Sequence, residues 1–266
     1  MSHCVTHPEL FQFLLLIAAC FSFSTGGQIS YSLPYLQARD SDLQLWCTPS
    51  DGSPAHYCDA DTACDSSKTS SFEYLTDTDH TLVNWVVTFK LACVSDERIS
   101  LEGTYFFAGF LVSAAIFPSL ADLVGRKPII LSGLLLHIAI NLALQWITSE
   151  AFLIVYLVLL GIRLPMASHV SFLLLMEYLP PSRRACFGNF VSAFDGGFSI
   201  FIALAFYYLR DWHIWFFIVD GENLLLFLSF LIFIPESPRY LISKRRFQAA
   251  RRVFSRLAWC NRAKQI

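Results

Sequence analysis

Charge is scarce in this sequence: Asp, Glu, Lys and Arg make up 15% of its 266 residues, while 55% are hydrophobic. A water-soluble body of this length needs more polar surface than that. The net charge of −2 lacks the basic footprint of a nucleic-acid binder, so no nucleic acid is expected as a partner. Catalytic signatures are missing too. There is no His-Glu-x-x-His, no Gly-x-Ser-x-Gly and no Gly-x-x-x-x-Gly-Lys, so neither an enzyme nor a cofactor is indicated. No Cys-x-x-Cys pair is present, and His56 and His80 fit no finger spacing, which argues against a metal site. No Asn-x-Ser/Thr sequon occurs. The first nine residues carry no Lys or Arg, so the apolar stretch behind them lacks the basic head of a secretory signal.

What the chain does have is long apolar runs, with a mean hydropathy of +0.51. Six are expected to span a bilayer: 10–28 (continuing toward Leu36), 103–121, 128–147, 151–176, 187–209 and 213–234. Runs of roughly 20 residues match a hydrocarbon core of about 30 Å at 1.5 Å per residue. Backbone polar groups in lipid must be satisfied within the segment, so each run is predicted to be helical. Gly161, Pro165, Gly196 and Gly197 weigh less against helix there than in water. The small residues Ala18–Cys20 keep a signal-peptide reading of the first run open. A retained helix is expected, because the basic head is missing.

Lys and Arg in short loops set orientation. Arg126 and Lys127 follow the second run and Arg183 and Arg184 the fourth. Arg239, Lys244, Arg245, Arg246, Arg251, Arg252 and Arg256 follow the sixth. With six alternating helices these fall on one side, predicted to be cytoplasmic together with both termini. The division expected is residues 1–36, a long outer loop 37–102, a helical bundle 103–234 and an inner linker 235–266.

The outer loop is acidic. Asp40, Asp42, Asp51, Asp59, Asp61, Asp65, Glu73, Asp77, Asp79, Asp96 and Glu97 outnumber Arg39, Lys68, Lys90 and Arg98. Its field could draw cations toward a pore, or the loop could be a solvated acidic cap, as charged loops mostly are. Cys47, Cys58, Cys64 and Cys93, an even number on the outer side, suggest two disulfides with three possible pairings. In the linker, Tyr240, Phe247, Ala250, Phe254 and Leu257 fall near one face of a basic amphipathic helix, expected at the inner membrane surface or under the bundle.

Ionisable groups inside a span usually face a cavity or a partner. Arg163 lies roughly 21 Å above Glu177 and Asp195 roughly 16 Å above Arg184, at 1.5 Å per residue. The two are therefore expected to meet near mid-membrane, either to read substrate charge or couple a proton, or as a neutralising structural pair. Asp220 and Glu222 read as a wet helix start. His137, Asn141 and Gln145 form an i, i+4, i+8 stripe that reads as glue between helices.

Three motifs at the basic ends then line up: Pro118-Ser-Leu-Ala-Asp122-Leu-Val-Gly125-Arg126-Lys127, Glu177-Tyr-Leu-Pro180-Pro-Ser-Arg-Arg184, and Pro235-Glu236-Ser-Pro-Arg239. In this order and in these loops they resemble the major facilitator superfamily, in its sugar-porter and organic-ion-transporter branch. The cysteine-bearing loop and the stretch Asn84–Cys93 look like the organic cation/anion subgroup. The resemblance covers nearly the whole chain but half of the usual twelve helices. It implies an all-α membrane protein whose six transmembrane helices form the N-terminal bundle of that fold, with an outer Cys-containing loop and a cytoplasmic amphipathic helix.

The resemblance also implies roles. Asp122 and Arg126 would form a charge-relay lock, Gly125 the tight turn beside it, and Glu177, Arg184, Glu236 and Arg239 a salt-bridge network that closes the inner side and breaks during transport. These charges could instead only anchor helix ends. Aromatic side chains would line the cavity, with Phe21, Phe23 and Tyr31 as candidates for cation–π contact. The sequence departs from the pattern at Pro118, Leu123 and Leu157, where the family has Gly, a basic residue and Arg.

The expected function is alternating-access transport of a small organic solute, an organic ion or a sugar-like molecule, in a multi-pass protein of the plasma membrane. The expected partners are the lipid bilayer, the solute, and a second six-helix half or a copy of the same chain. A truncated carrier, a dimerising half-carrier and an inactive product are all compatible with an end at Ile266; truncation needs the fewest assumptions. A non-transporting protein that pairs with a full carrier is the rival.

Overall fold

The structure is a computed structural model and describes residues 10–39, 45–74, 82–146 and 149–260. Asp40, Asp42, Asp77, Asp79 and His80 lie outside these residues. Among the described residues six helical spans are long and apolar enough to cross a membrane. They are α1 (Leu10–Leu36), α4 (Asp96–Val124), α5 (Arg126–Trp146), a compound fourth span, α8 (Pro181–Leu209) and α9 (Trp212–Ile232). The fourth consists of α6 (Glu150–Leu164), a π-helical turn Pro165–His169 and α7 (Val170–Tyr178).

Several helices outrun their apolar runs. The second span starts at Asp96 rather than Gly103, and the fifth at Pro181 rather than Phe187. Apolar length measures the hydrocarbon crossing; the backbone ladder continues into polar ends wherever water or a cap satisfies it. Pro181 supplies a pre-set φ at the first helical position. The π turn sits where Pro165 lacks an N–H for the preceding turn. Ser113 on α4 donates to the Ile162 carbonyl just before it, and Ser22 on α1 donates to Ala167 O at 3.1 Å inside it.

Two apolar cores stack along the bundle. One gathers Trp85, Tyr156, Trp212, Trp215 and Phe216 near the loop end, and the other Leu15, Ile130, Leu174, Val191 and Phe230 toward the basic end. α4 and α6 approach through glycines. A Cβ on Gly109 would strike the Val158 carbonyl, and one on Gly161 the Phe106 carbonyl. Small residues let membrane helices come this close.

Within the helical fold, the long outer loop carries a small sheet of its own. β1 (Leu45–Pro49) lies between β2 (His56–Cys58) and β3 (Thr69–Tyr74) in an antiparallel sheet, with Trp46 opposite Tyr57 on one side and Glu73 on the other. Of the three pairings, the structure has Cys47–Cys58 across the β1–β2 hairpin. Cys64–Cys93 joins the end of α2 (Ala60–Ala63) to the segment after α3 (Trp85–Thr88).

The same segment is woven into the helix ends. Asn84 Nδ2 donates to Tyr35 O and Ala38 O, at 3.1 and 2.8 Å. Val83 exchanges backbone hydrogen bonds with Arg210 and Trp212, and Trp212 Nε1 donates to Thr88 Oγ1 at 2.9 Å. Cys64–Cys93 spans 29 residues and Cys47–Cys58 spans 11. By loop-closure entropy, removing Cys93 should therefore cost about 1 kcal/mol more than removing Cys58. Denaturant midpoints of Cys93→Ser and Cys58→Ser check this, and equal or reversed losses contradict it.

Hydrogen bonds from Ser53, Thr62 and Ser67 hold the Asp51, Asp59 and Asp65 carboxyls below the usual carboxylate range. Because these pKa values are depressed on folding, their contribution is complete above the ordinary carboxylate value and is lost as pH falls through the folded one. The loop should loosen on acidification, read by amide exchange at Thr62.

Candidate functional site

At the basic end the α4–α5 turn brings the first and third motifs together. Gly125 closes α4 at φ +120°, where a Cβ would be strained and would lie 2.5 Å from Glu236 Oε2. That turn puts Arg126 four residues after Asp122, so one guanidinium nitrogen donates to Asp122 at 2.6 Å and to Glu177 at 2.8 Å. Arg126 and Glu177 are nearly buried, while Asp122 is 63% exposed. Tyr240 lies under the guanidinium at 5.4 Å and donates to Leu123 O at 3.1 Å.

Glu236 enters no ion pair among the described residues. Its carboxylate accepts the backbone N–H groups of Arg126 at 3.0 Å, Lys127 at 3.2 Å and Ser237 at 2.9 Å. It thereby caps α5, whose first amides have no intrahelical acceptor and carry the positive end of the helix dipole. Lys127 Nζ donates to Leu231 O at 2.9 Å.

The four-charge network implied for Glu177, Arg184, Glu236 and Arg239 is thus corrected. Arg184 Nε donates to the backbone of Leu179 at 3.2 Å, across the turn that Pro180 makes before α8. Arg239, in α10 (Pro238–Ser243), makes no ion pair among the described residues. Three ionic side chains meet here, with Arg126 at the centre. Tyr178 ties the second motif to the third instead, donating to Pro235 O and Glu236 O at 3.2 and 3.1 Å. Its hydroxyl went unnoticed in the sequence. α11 (Phe247–Cys260) buries Ala250 and Val253 against Tyr240 and Leu241 and leaves Phe247 and Phe254 exposed.

A second locus lies between α1 and α8. Tyr31 donates to Asp195 Oδ2 at 3.2 Å; the Ser24 hydroxyl lies beside the same carboxylate, and Asp195 Oδ1 has no well-aligned hydrogen bond among the described residues. Gly27 makes room: a Cβ there would meet Asp195 Oδ1 at 2.5 Å and the Tyr31 ring at 2.7 Å. Phe21 stands edge-on to Phe194 and Phe198 at 5.2 and 6.5 Å, while Phe23 packs on Phe172 and His169. The expected Arg163–Asp195 pair is not formed. Arg163 is fully buried and turns to α1, donating to Thr25 Oγ1 at 2.9 Å and Thr25 O at 2.6 Å. Equal depth fixes height along a helix but not the direction around it.

Asp220 and Glu222 overturn the reading as a wet helix start. Asp220 is buried nine residues inside α9 and accepts from Asn141 at 3.0 Å; Glu222 accepts from Gln28 at 2.6 Å. The polar stripe on α5 supplies that partner, and Asn141 also bonds His137 and Tyr156.

A half-bundle with a motif lock at one end of its helices and a disulfide-bonded loop at the other now has a match. The family model for "sugar (and other) transporter" covers residues 52–265. The chain belongs to the sugar (and other) transporter family. Its six spans form one half of the major facilitator fold, and carriers rather than enzymes make up that family. Among curated relatives, a solute carrier family 22 member 15-like protein of Xenopus tropicalis is 33% identical over 55% of this chain and 30% of its own length. An organic cation transporter-like protein of Drosophila melanogaster is 28% identical over 66% and 31%. Solute carrier family 22 member 4 of Mus musculus is 28% identical over 70% and 34%. The chain spans about a third of the length of the curated relatives it matches.

Proposed function

We propose that this family member is the N-terminal bundle of an alternating-access carrier for a small organic cation, seated in the plasma membrane with both termini and the motif lock cytoplasmic. The observation that carries the substrate class is Asp195. It is a half-buried carboxylate held by the Tyr31 hydroxyl, with the Ser24 hydroxyl near and no cation paired to it among the described residues, beside the Phe21–Phe194–Phe198 cluster. An organic cation there would gain charge pairing and ring-face attraction, the latter about 0.5–2 kcal/mol. A neutral sugar would gain no charge pairing and no cation–π attraction. The Arg126–Asp122–Glu177 lock would hold the inner side closed and open when the second half rocks away. The Drosophila melanogaster relative, an organic cation transporter-like protein, agrees with this choice.

Binding of radiolabelled tetraethylammonium to the chain in nanodiscs tests the reading. Asp195→Asn should weaken binding at least tenfold, about 1.4 kcal/mol. Gly27→Ala, which pushes the carboxylate off the Tyr31 hydroxyl, should weaken it several-fold with the melting temperature retained. Tetraethylammonium affinity unchanged in both variants would remove Asp195 from the substrate path.

The relatives' length favours a requirement for a second half, supplied by further chain or a copy of this one. Uptake by proteoliposomes holding this chain alone would establish self-pairing. An inert chain that co-purifies with a full carrier and alters its uptake would favour the regulatory alternative. Antibody access to tags on the loop and on the C-terminus of intact cells reads the orientation.

A further inference from the structure

The interior of the bundle holds a polar cluster that neither the lock nor the aromatic locus uses. Arg163 on α6 is within electrostatic reach of Asp220 and Glu222 on α9, and of Tyr156 on its own helix. His137 and Asn141 face it from α5, Thr25 and Gln28 from α1. Arg163, His137, Asn141 and Gln28 have no solvent exposure and Asp220 has 7%, while Glu222 is half-buried and lines an apolar cavity that Phe21 also borders. Yet Arg163 makes no ion pair among the described residues. Its donors go to Thr25, and its Nε has no partner. Each carboxyl accepts from a neutral amide with one oxygen, while Asp220 Oδ2 and Glu222 Oε1 are bare.

Charge balance decides what is missing. With both carboxylates ionised, the cluster has two negative charges and one positive around a fully buried guanidinium, with Asp220 buried and Glu222 half-buried. An uncompensated buried charge of this kind is expensive. His137 does not supply the deficit. The Asn141 amide donates at 2.8 Å toward His137 Nε2, which must then accept, while the amide oxygen takes the Tyr156 hydroxyl at 2.9 Å. The imidazole is therefore the neutral tautomer with its proton on Nδ1. Tyr156 keeps its own proton to make that bond.

We propose that the cluster is a proton-binding site in which Asp220 and Glu222 together hold one exchangeable proton, balanced against Arg163. One proton brings the cluster to neutrality and converts one bare carboxylate oxygen into a hydroxyl donor. Uptake and release of that proton would give the half-bundle an ion-coupling device that is separate from the Asp195 locus. The proposal goes beyond the solute reading and does not depend on it.

Infrared difference spectra of the chain in nanodiscs, in H₂O and D₂O at neutral pH, test this through the C=O band of a protonated carboxyl. The unaltered chain should show one carboxyl equivalent assignable to the pair. Charge balance makes an unusual forecast: Asp220→Asn and Glu222→Gln should each abolish that band, because the remaining carboxylate is matched by Arg163. Arg163→Gln should raise it to two equivalents, and Arg163→Lys should leave it at one. If Arg163→Gln does not fold, the two carboxyl variants decide alone. No band in the unaltered chain overturns the proposal, as does a band unchanged by either carboxyl substitution. A band that disappears when sodium replaces choline at constant ionic strength also overturns it, in favour of a metal cation.

Discussion

Arg126→Gln should lower the stability of the folded bundle by roughly 3–5 kcal/mol, the range for breaking a buried ion pair from one side. The energy lies with Glu177 rather than Asp122. Glu177 is 5% exposed and would keep its charge with no cation in contact, whereas Asp122 is 63% exposed and returns to solvent. Exposed i, i+4 pairs contribute about 0.3–0.5 kcal/mol, so Asp122→Asn should barely move the melting temperature. Arg126→Lys should recover only part of the loss: an ammonium can donate to both carboxylates, but it lacks the second nitrogen that donates to Ala121 O and the planar face that lies on Tyr240. The decisive comparison is Arg126→Gln with Glu177→Gln. Removing the stranded charge should restore most of the stability, giving a coupling energy well beyond additive error. Thermal melts in one detergent measure these variants, including both singles and the double of the Arg126–Glu177 cycle. If Arg126→Gln melts with the parent chain, the lock has no energetic content and cannot gate anything.

The contrast between Glu177 and Glu236 marks where a sequence can and cannot be read. The spans were legible because bilayer thickness imposes a length, and six apolar runs of that length have few other uses. Asp122 and Arg126 were legible only through the motif they share with the family, because Gly125 ends one helix between them and the next begins at Arg126. Glu236 was not, since its acceptors' partners are the first amides of α5, and a backbone donor leaves no mark in the residue pattern. The same holds for Arg163: its partner is a Thr25 hydroxyl and carbonyl on another helix. Asp220 and Glu222 were misjudged because hydropathy counts a carboxylate as wet unless the amide that satisfies it is known, and Asn141 and Gln28 come from other spans. In the loop, strands of three to six residues containing Cys and Pro alternate too briefly to register. Four cysteines admit three pairings until that sheet fixes which are adjacent.

The second large effect belongs to two glycines that carry no chemistry. Gly109→Val and Gly161→Val should each cost about 3 kcal/mol or more, at or above the upper end for overpacking. A Cβ at either position runs into a backbone carbonyl on the facing helix, Val158 or Phe106. A side chain in the way can swing aside, but a carbonyl moves only with its helix. α4 and α6 would have to separate along their whole contact, and Ser113 would lose the Ile162 carbonyl beside the π turn. The controls lie on α8: Gly196 and Gly197 have nothing within 4 Å of an added Cβ. Alanine there should be neutral, or stabilising by up to about 1 kcal/mol through helix propensity. The pair of glycines and the pair of controls have the same composition and similar hydropathy, so only the backbone approach separates them. Melting temperatures that fall equally for Gly161→Val and Gly197→Val would mean that α4 and α6 do not meet where the structure puts them. The depth assigned to Arg163, two residues on from Gly161, would fail with that contact.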